Sequence, residues 1–317
     1  MAKIVSVTRI LNEDDIIEAF VRHNAAHAGQ MLFLDNGSTD RTLDILRALQ
    51  AEGFALTVFQ TLSISFDEMA ANSWSYQVAS QIFGAGWVVF LDADEFIATP
   101  HAVRLSSLLP AAENAVTVPL INYVQTREDD ASIAVVPWRQ RWRHPGETGV
   151  VKLMLRAGLP DIVIEAGNHG AYAAGAKLPA VPLPGVALAH YPRRHGWQIV
   201  QKMCAGWLKA AAAGRGGMLH SRHYLSPFET LRDRPWEVLL GDYFSRELDR
   251  AQAVEAPLAY LGGPLAYWQK TDPAMKAAQC FLQFAERLAL QHGRLIDEAP
   301  QARALVEGWN AKRDFLF

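Results

Sequence analysis

The stretch GWVVFLDADEF, residues 86–96, decides the fold. Five consecutive apolar residues, Trp87 to Leu91, run directly into Asp92, Asp94 and Glu95. An apolar run without polar alternation reads as a strand covered on both faces of a parallel sheet. In such sheets ligands sit outside the carboxyl ends of the strands, which is where these acids fall. Alternation along an extended chain points Asp92 and Asp94 to one side, with Ala93 and Glu95 turned away. Two carboxylates so placed suit a hard divalent cation that also binds phosphate oxygens. The plainer alternative is a strand end meeting solvent, with the acids serving as helix caps.

Upstream, strand and helix patterns alternate. KIVSVTRI (3–10) is a β-branched strand, and DDIIEAFVRHNAAH (14–27) has helical apolar spacing with Asn12 or Asp14 as its cap. QMLFLDNGS (30–38) is a strand stopping at Asp35, and the helix of residues 38–53 takes Ser38 or Thr39 as cap and ends at Gly53. ALTVFQ (55–60) is a third strand, residues 69–86 a third helix, and residues 87–96 a fourth strand. This order predicts an α/β fold with a doubly wound, mostly parallel sheet. Beyond Pro100 the pattern loosens into strands at 115–125 and 161–172, joined by the arginine-rich RQRWRHPGETG (139–149), with one more strand within 179–192. From Gly196 the chain reads mostly helical, giving a division into residues 1–200 and a helical extension, 201–317. The clearest amphipathic helix, 275–292, puts Phe281, Leu282, Phe284, Ala285, Leu288 and Ala289 on one broad side, as a packed or dimer-forming helix would.

Composition narrows the classes. Half of the 317 residues are hydrophobic, a fifth are charged, and the net charge is −3, so no basic field points to nucleic acid. Two cysteines, Cys204 and Cys280, form neither a disulfide framework nor a metal spacing. The start MAKIVSVTRILNE lacks the pattern of a signal peptide, and no apolar run approaches the ~20 residues that span a bilayer. A reduced, cytoplasmic setting is expected, leaving open a peripheral contact with the inner membrane.

With these blocks in view, the sequence resembles the family 2 glycosyltransferases, which have the GT-A fold. FLDADEF resembles their Asp-x-Asp signature, SVTRILNEDDIIEAFVRHN their opening strand and helix, and LFLDNGSTDRTLDIL their second strand, turn and helix. GNHG and LAHYPRRHGWQIVQKMCAGW resemble, more loosely, the His-Tyr-Pro segment of a bacterial branch. The resemblance implies an inverting, metal-dependent transfer of a sugar from a nucleotide-diphosphate donor to a glycan, a lipid-linked acceptor or another hydroxyl, in bacterial surface polysaccharide synthesis. It places Thr8, Asn12 and Glu13 at the nucleotide base, Asp35 at the base or ribose, and Asn36, Ser38 and Asp40 in the adjoining turn. For Asp40, helix capping is an equal alternative. Asp92 would reach the ribose, or the metal through water. Asp94 would bind Mn2+ or Mg2+, with His190 as a further metal or diphosphate contact.

The chain departs from the pattern at MAANSW, where Ala71 precedes Asn72 and many relatives carry a basic residue. Lys152, Arg193, Arg194 or Lys202 are the candidates to supply that charge against the leaving diphosphate. An inverting transfer also needs a base for the acceptor hydroxyl. Among Asp129, Asp130, Asp161 and Glu165, the last ends the apolar DIVIE and is preferred, with His169 second. WRQRWRH (138–144) is either an acceptor face or a structural loop. Two other functions stay open: a nucleotide-sugar-binding protein without turnover, and a nucleotidyltransferase. The second would show a glycine-rich loop after the first strand, where this chain has TRILNEDD.

Overall fold

A computed structural model of the chain describes residues 3–64, 67–126, 129–194, 196–214, 218, 224–234 and 253–311. The first half follows the expected alternation: β1 (Ile4–Ile10), α1 (Ile17–Asn24), β2 (Gln30–Asp35), α2 (Thr42–Ala51), β3 (Leu56–Gln60), α3 (Glu68–Gln81) and β4 (Trp87–Phe90). Strands β3, β2, β1 and β4 lie side by side, all parallel. Side chains alternate between two cores, as a pleated strand requires. Ile4, Met31, Phe33, Trp87 and Val89 meet Phe20 of α1 and Ile45 and Leu49 of α2. Val5, Val7, Leu32, Val88 and Phe90 meet Tyr76 and Ala79 of α3 on the opposite face. The sheet is therefore doubly wound.

After β4 the chain departs from the expected single strand over 87–96. It turns at residues 92–95, where the Glu95 N–H donates to the Asp92 carbonyl at 3.0 Å, and restarts as β5 (Glu95–Ala98). Strict alternation therefore does not govern Asp92 and Asp94, which sit on the turn between β4 and β5 rather than on a strand. Further strands are β6 (Ala115–Val124), β7 (Trp142–Arg143), β8 (Val151–Arg156), β9 (Ile162–Ile164), β10 (Ala171–Ala173), β11 (Ala176–Lys177), β12 (Val181–Pro182), β13 (Ala187–His190) and β14 (Val254–Glu255). The short helix α4 (Val136–Arg139) precedes β7. β8, which the sequence reading passes over, lies antiparallel between β4 and β6 and closes the middle of the sheet. The expected strand at 161–172 is instead two strands, β9 and β10, joined by the loop 165–170 in a small separate sheet.

The C-terminal part is helical, as expected: α5 (Gly196–Ala212), α6 (Leu225–Asp233), α7 (Pro273–Glu298) and α8 (Pro300–Ala311). An extended strap precedes α7 and crosses α1, where the buried Glu18 carboxylate accepts the N–H groups of Ala266 and Tyr267 at 2.7 and 2.9 Å. α7 packs on α5 through Cys280, Phe281 and Phe284, while Leu282 is 71% exposed. The buried stripe is thus narrower than the side drawn from sequence. No helix among the described residues is long and apolar enough to cross a membrane.

Candidate active site

The carboxyl ends of β1, β2 and β4 converge on one edge of the sheet, and four loops meet there. Two of them brace each other. Asn12, at φ 59°, accepts the N–H groups of Thr39 and Asp40 on its Oδ1 at 2.7 and 3.3 Å, while Ser38 Oγ accepts the Asn12 N–H at 2.9 Å. The Asp35 carboxylate accepts the N–H groups of Gly37 and Ser38 and the side chain of Gln60, its β3 neighbour in register. Its Oδ2 is thus engaged by both the turn and β3. Asn36 donates to the carbonyls of Thr61 and Ser63, and its buried Oδ1 has no partner among the described residues. Asp40 accepts the Thr42 N–H at the start of α2, the capping role. The buried Thr8 hydroxyl has no partner among the described residues.

The acids of the 92–95 turn lie in a cage of cations. Asp92 Oδ2 is 2.7 Å from the Lys152 ammonium and Oδ1 is 3.6 Å from Arg9, while its side chain keeps 37% exposure. Asp94 is buried: Oδ2 meets Lys202 at 2.9 Å and Arg194 at 3.5 Å, and Oδ1 faces His190 Nε2 at 3.5 Å. Burial by itself would raise both carboxyls. Lys152 and Arg9 hold Asp92 below the ordinary range, and Lys202, His190 and Arg194 hold Asp94 well below it. Both are therefore ionised at neutral pH. Glu95 does not turn away to serve only the loop after it. It is fully buried, its Oε2 accepts the Asp92 N–H at 3.0 Å, and burial, aided by Asp92 and opposed by Lys152, pushes it up to about 7.

Arg194 ties this turn to the first loop. It is buried, with Nη2 2.6 Å from Glu13, Nε 2.7 Å from Asp15 and Nη1 3.2 Å from the Tyr191 carbonyl, in addition to Asp94. Glu13 is pushed up to about 7 by burial despite Arg194, whereas Asp15 is held down to about 2 by the same guanidinium against its burial. Arg193 next to it is exposed. Strand pairing explains His190: β13 lies between β5 and β6, which sets His190 opposite Glu95 on one side and Asn122 on the other. Its Nδ1 is 2.7 Å from Asn122 Oδ1. With Asn122 Oδ1 as acceptor, Nδ1 is the donor, and Nε2 is the ring nitrogen turned towards Asp94.

Glu165 and His169 lie on the loop between β9 and β10. That loop docks beside the Asp92 half of the cluster, where the Gly167 N–H donates to Glu68 at 2.7 Å and Asn168 Oδ1 accepts from the Asn72 amide at 2.6 Å. Glu68 in turn holds Arg9 at 2.6 Å. His169 Nδ1 is 2.8 Å from the Val151 carbonyl, and the nearest charge to Glu165 is Lys177 at 3.9 Å. Trp138 stays 44% exposed and meets the ring of Tyr260 edge-on.

Several residues at this edge escape the sequence reading. Arg9 and Asp15 stand inside quoted motifs, yet only their partners reveal a role. From α7, Lys276 pairs with Asp14 and lies 3.0 Å from Asp40. Arg287 donates to the carbonyls of Asn36 and Gly37 at 3.0 and 2.7 Å. Lys209 on α5, lowered to about 8 by burial and then by Arg9, adds another cation near Asp35. A spacing of roughly one or two helical turns from Lys202, and along 276, 280, 284 and 287, is the signal that could have found them.

The chain has structural likeness to a mannosyltransferase from Pyrobaculum calidifontis in complex with GDP-Man and Mn2+, at 14% identity and a TM-score of 0.37, over 96% of this chain and 83% of that one. It is likewise similar to Staphylococcus aureus TarS 1–349 in complex with UDP, at 14% identity and a TM-score of 0.38, over 75% of each chain. A third likeness is to glucosyl-3-phosphoglycerate synthase from Mycobacterium tuberculosis, at 16% identity and a TM-score of 0.32, over 67% of this chain and 79% of that one. No family model and no curated protein matches the chain. At such scores and identities these likenesses carry no functional inference, and the site is read from its own residues.

Proposed function

We propose that the protein is an inverting, metal-dependent glycosyltransferase. It moves a sugar from a nucleotide-diphosphate donor to a hydroxyl of a glycan or lipid-linked acceptor, in the synthesis of a bacterial surface polysaccharide. The observation that carries this reading is Asp94: a buried, ionised carboxylate whose Oδ1 has no hydrogen-bond partner among the described residues and faces the Nε2 of His190 at 3.5 Å. A carboxylate oxygen and an imidazole lone pair suit Mn2+ or Mg2+, and Asn122 orients the ring as an outer-sphere partner should. Among the described residues no group of three or more His, Cys, Asp or Glu could hold an ion. Two protein ligands would leave the rest of the ion's coordination to water and the donor diphosphate, so metal and nucleotide would bind together.

When bound, the metal supplies positive charge against the departing diphosphate. The chain's own residues do the rest. Lys152 and Arg9 keep Asp92 charged and oriented toward the ribose. Asn12, Asp35, Asn36 and Ser38 form the rigid floor under the nucleotide, with Thr8 and Glu13 at its edge. Arg194 fixes that floor relative to Asp94. Glu165 takes the acceptor proton, with His169 as second choice, because their loop docks beside Asp92 and leaves the Glu165 carboxylate partly open. Residues 1–200 carry the donor site. Residues 201–317 form the acceptor side and the surface for a second copy or for the membrane face, and they also reach the donor edge through Lys202, Lys276 and Arg287.

Release of free nucleoside diphosphate from a panel of UDP-, GDP- and CDP-sugars, with Mn2+ and an acceptor mixture, tests the reading. Turnover that falls at least 100-fold in Glu165→Gln, with donor binding kept, supports it. Donor binding without any turnover in the wild type would favour a binding protein. The ion pair that Lys202 makes with Asp94 is the observation that keeps that second reading in play.

A further inference from the structure

Four cations surround the acids of the 92–95 turn, and three are locked. Arg194 is 1% exposed and divided among Glu13, Asp15 and Asp94. Lys152 is 4% exposed and shared by Asp92 and Glu95 at 2.7 and 3.0 Å. Arg9 is held at 2.6 Å by Glu68. Lys202 differs. Its side chain is 37% exposed, and among the described residues its ammonium makes one hydrogen bond, to Asp94 Oδ2 at 2.9 Å. It therefore holds the same carboxylate whose other oxygen, Oδ1, has no hydrogen bond among the described residues and is turned to His190.

A divalent ion seated on Asp94 Oδ1 and His190 Nε2 would stand next to this ammonium, and like charges at that range repel strongly in a buried setting. Arg194 cannot yield without stranding Glu13 and Asp15, and Lys152 cannot yield without stranding Glu95. Among these four cations Lys202 is the most exposed, and its four-carbon stem is flexible. A diphosphate bound to that ion would offer the displaced ammonium a new anionic partner.

We propose that Lys202 is the ion's placeholder: it neutralises Asp94 before the metal arrives, is displaced by it, and then contacts the donor diphosphate. This rests on the metal-site reading above and gives Lys202 a positioning role that changes partner as the site loads. The consequence is a pair of effects with opposite signs. Removing the ammonium tightens Mn2+, because nothing has to be displaced, and weakens nucleoside diphosphate, because a contact is lost.

The test uses the full chain as wild type, Lys202→Met and Lys202→Arg. The free-ion signal of Mn2+ in electron paramagnetic resonance measures affinity for Mn2+ alone, and calorimetry measures UDP and GDP at saturating Mn2+. Lys202→Met should bind Mn2+ about three- to ten-fold more tightly, the scale of a partly exposed ion pair, and UDP or GDP about ten-fold more weakly. Lys202→Arg, which keeps the charge, should return both constants toward wild type. Mn2+ binding that is unchanged or weaker in Lys202→Met would overturn the placeholder role while leaving the metal site standing. Tighter Mn2+ with unchanged nucleotide would overturn the second contact. No Mn2+ binding to the wild type, alone or with nucleotide, would remove the metal-site reading itself and the inference with it. Lys202→Gln serves as a second uncharged variant should the Met variant lose its melting transition.

Discussion

Arg194→Met would remove the cation that ties the first loop to the 92–95 turn while keeping most of the side-chain volume. In the native protein the guanidinium lies 2.6 Å from Glu13, 2.7 Å from Asp15 and 3.5 Å from Asp94, at 1% exposure. Unit charges about 4 Å apart interact by roughly 4 kcal/mol at an effective dielectric of about 20, so the three contacts sum to roughly 12 kcal/mol gross. Several kcal/mol of that offset the burial of the arginine itself. Glu13, already pushed up to about 7, sheds its charge in the variant by taking a proton. Asp15 and Asp94 cannot do so cheaply. The net loss should fall near 3–5 kcal/mol, the usual cost of stranding a buried charge, or about 10 °C in melting temperature for a chain of this size. Urea titration and scanning fluorimetry measure it, with Arg193→Met, one residue away and exposed, as the control expected within about 0.5 kcal/mol. The pH dependence carries a sign. The stranded acids bind protons more readily in the folded variant, so the gap to wild type should be widest above pH 7 and close as pH falls toward 4. A loss no larger than that of Arg193→Met, or one independent of pH, would refute the hub.

Two further outcomes come from the packing. His23 and His27 are buried and neutral, each lowered from 6.5 to about 4 by burial, while the unfolded chain protonates near 6.5. The unfolded state therefore binds more protons between those values, so their stabilisation is complete above pH 6.5 and is lost as pH falls toward 4, by on the order of 3 kcal/mol for each ring. His27→Gln should flatten the acid side of the melting curve, and a curve parallel to wild type would count against this. Gly37, at φ +79°, would place a Cβ 2.0 Å from Arg287 Nη2. Gly37→Ala should cost about 1–2 kcal/mol for the backbone plus the displaced arginine, and a double-mutant cycle with Arg287→Ala should show coupling of about 0.5–2 kcal/mol. Full additivity would mean that α7 does not brace this turn.

How much of the molecule is legible in its sequence depends on distance along the chain. Periodicity finds β1 to β4 and the helices between them, because each signal is local and repeats every two or 3.6 residues. It fails at Asp92–Glu95, where an apolar run continuing into acids looks like one strand although the chain turns. It passes over β8, whose VKLMLR has a short apolar centre flanked by cations, and so misses why Lys152 stands opposite Asp92. The acids are visible as types, but their partners are not. Arg194 meets Glu13 across 181 residues and Lys276 meets Asp14 across 262, and pairings at that range leave no periodic trace. Asp35 shows the converse: the motif singles it out, but only the folded chain reveals that its oxygens are occupied by the turn it shapes.

The central claim is that Asp94 helps hold a divalent ion shared with a nucleoside diphosphate. Calorimetric titration of UDP and GDP into the wild type and Asp94→Asn, each with Mn2+ and with chelator, tests it most directly. The account predicts that one nucleotide binds the wild type at least ten-fold more tightly with Mn2+, and that Asp94→Asn, folded by circular dichroism, loses that gain. Equal affinity with and without Mn2+ in the wild type, or a gain that survives in Asp94→Asn, would contradict it.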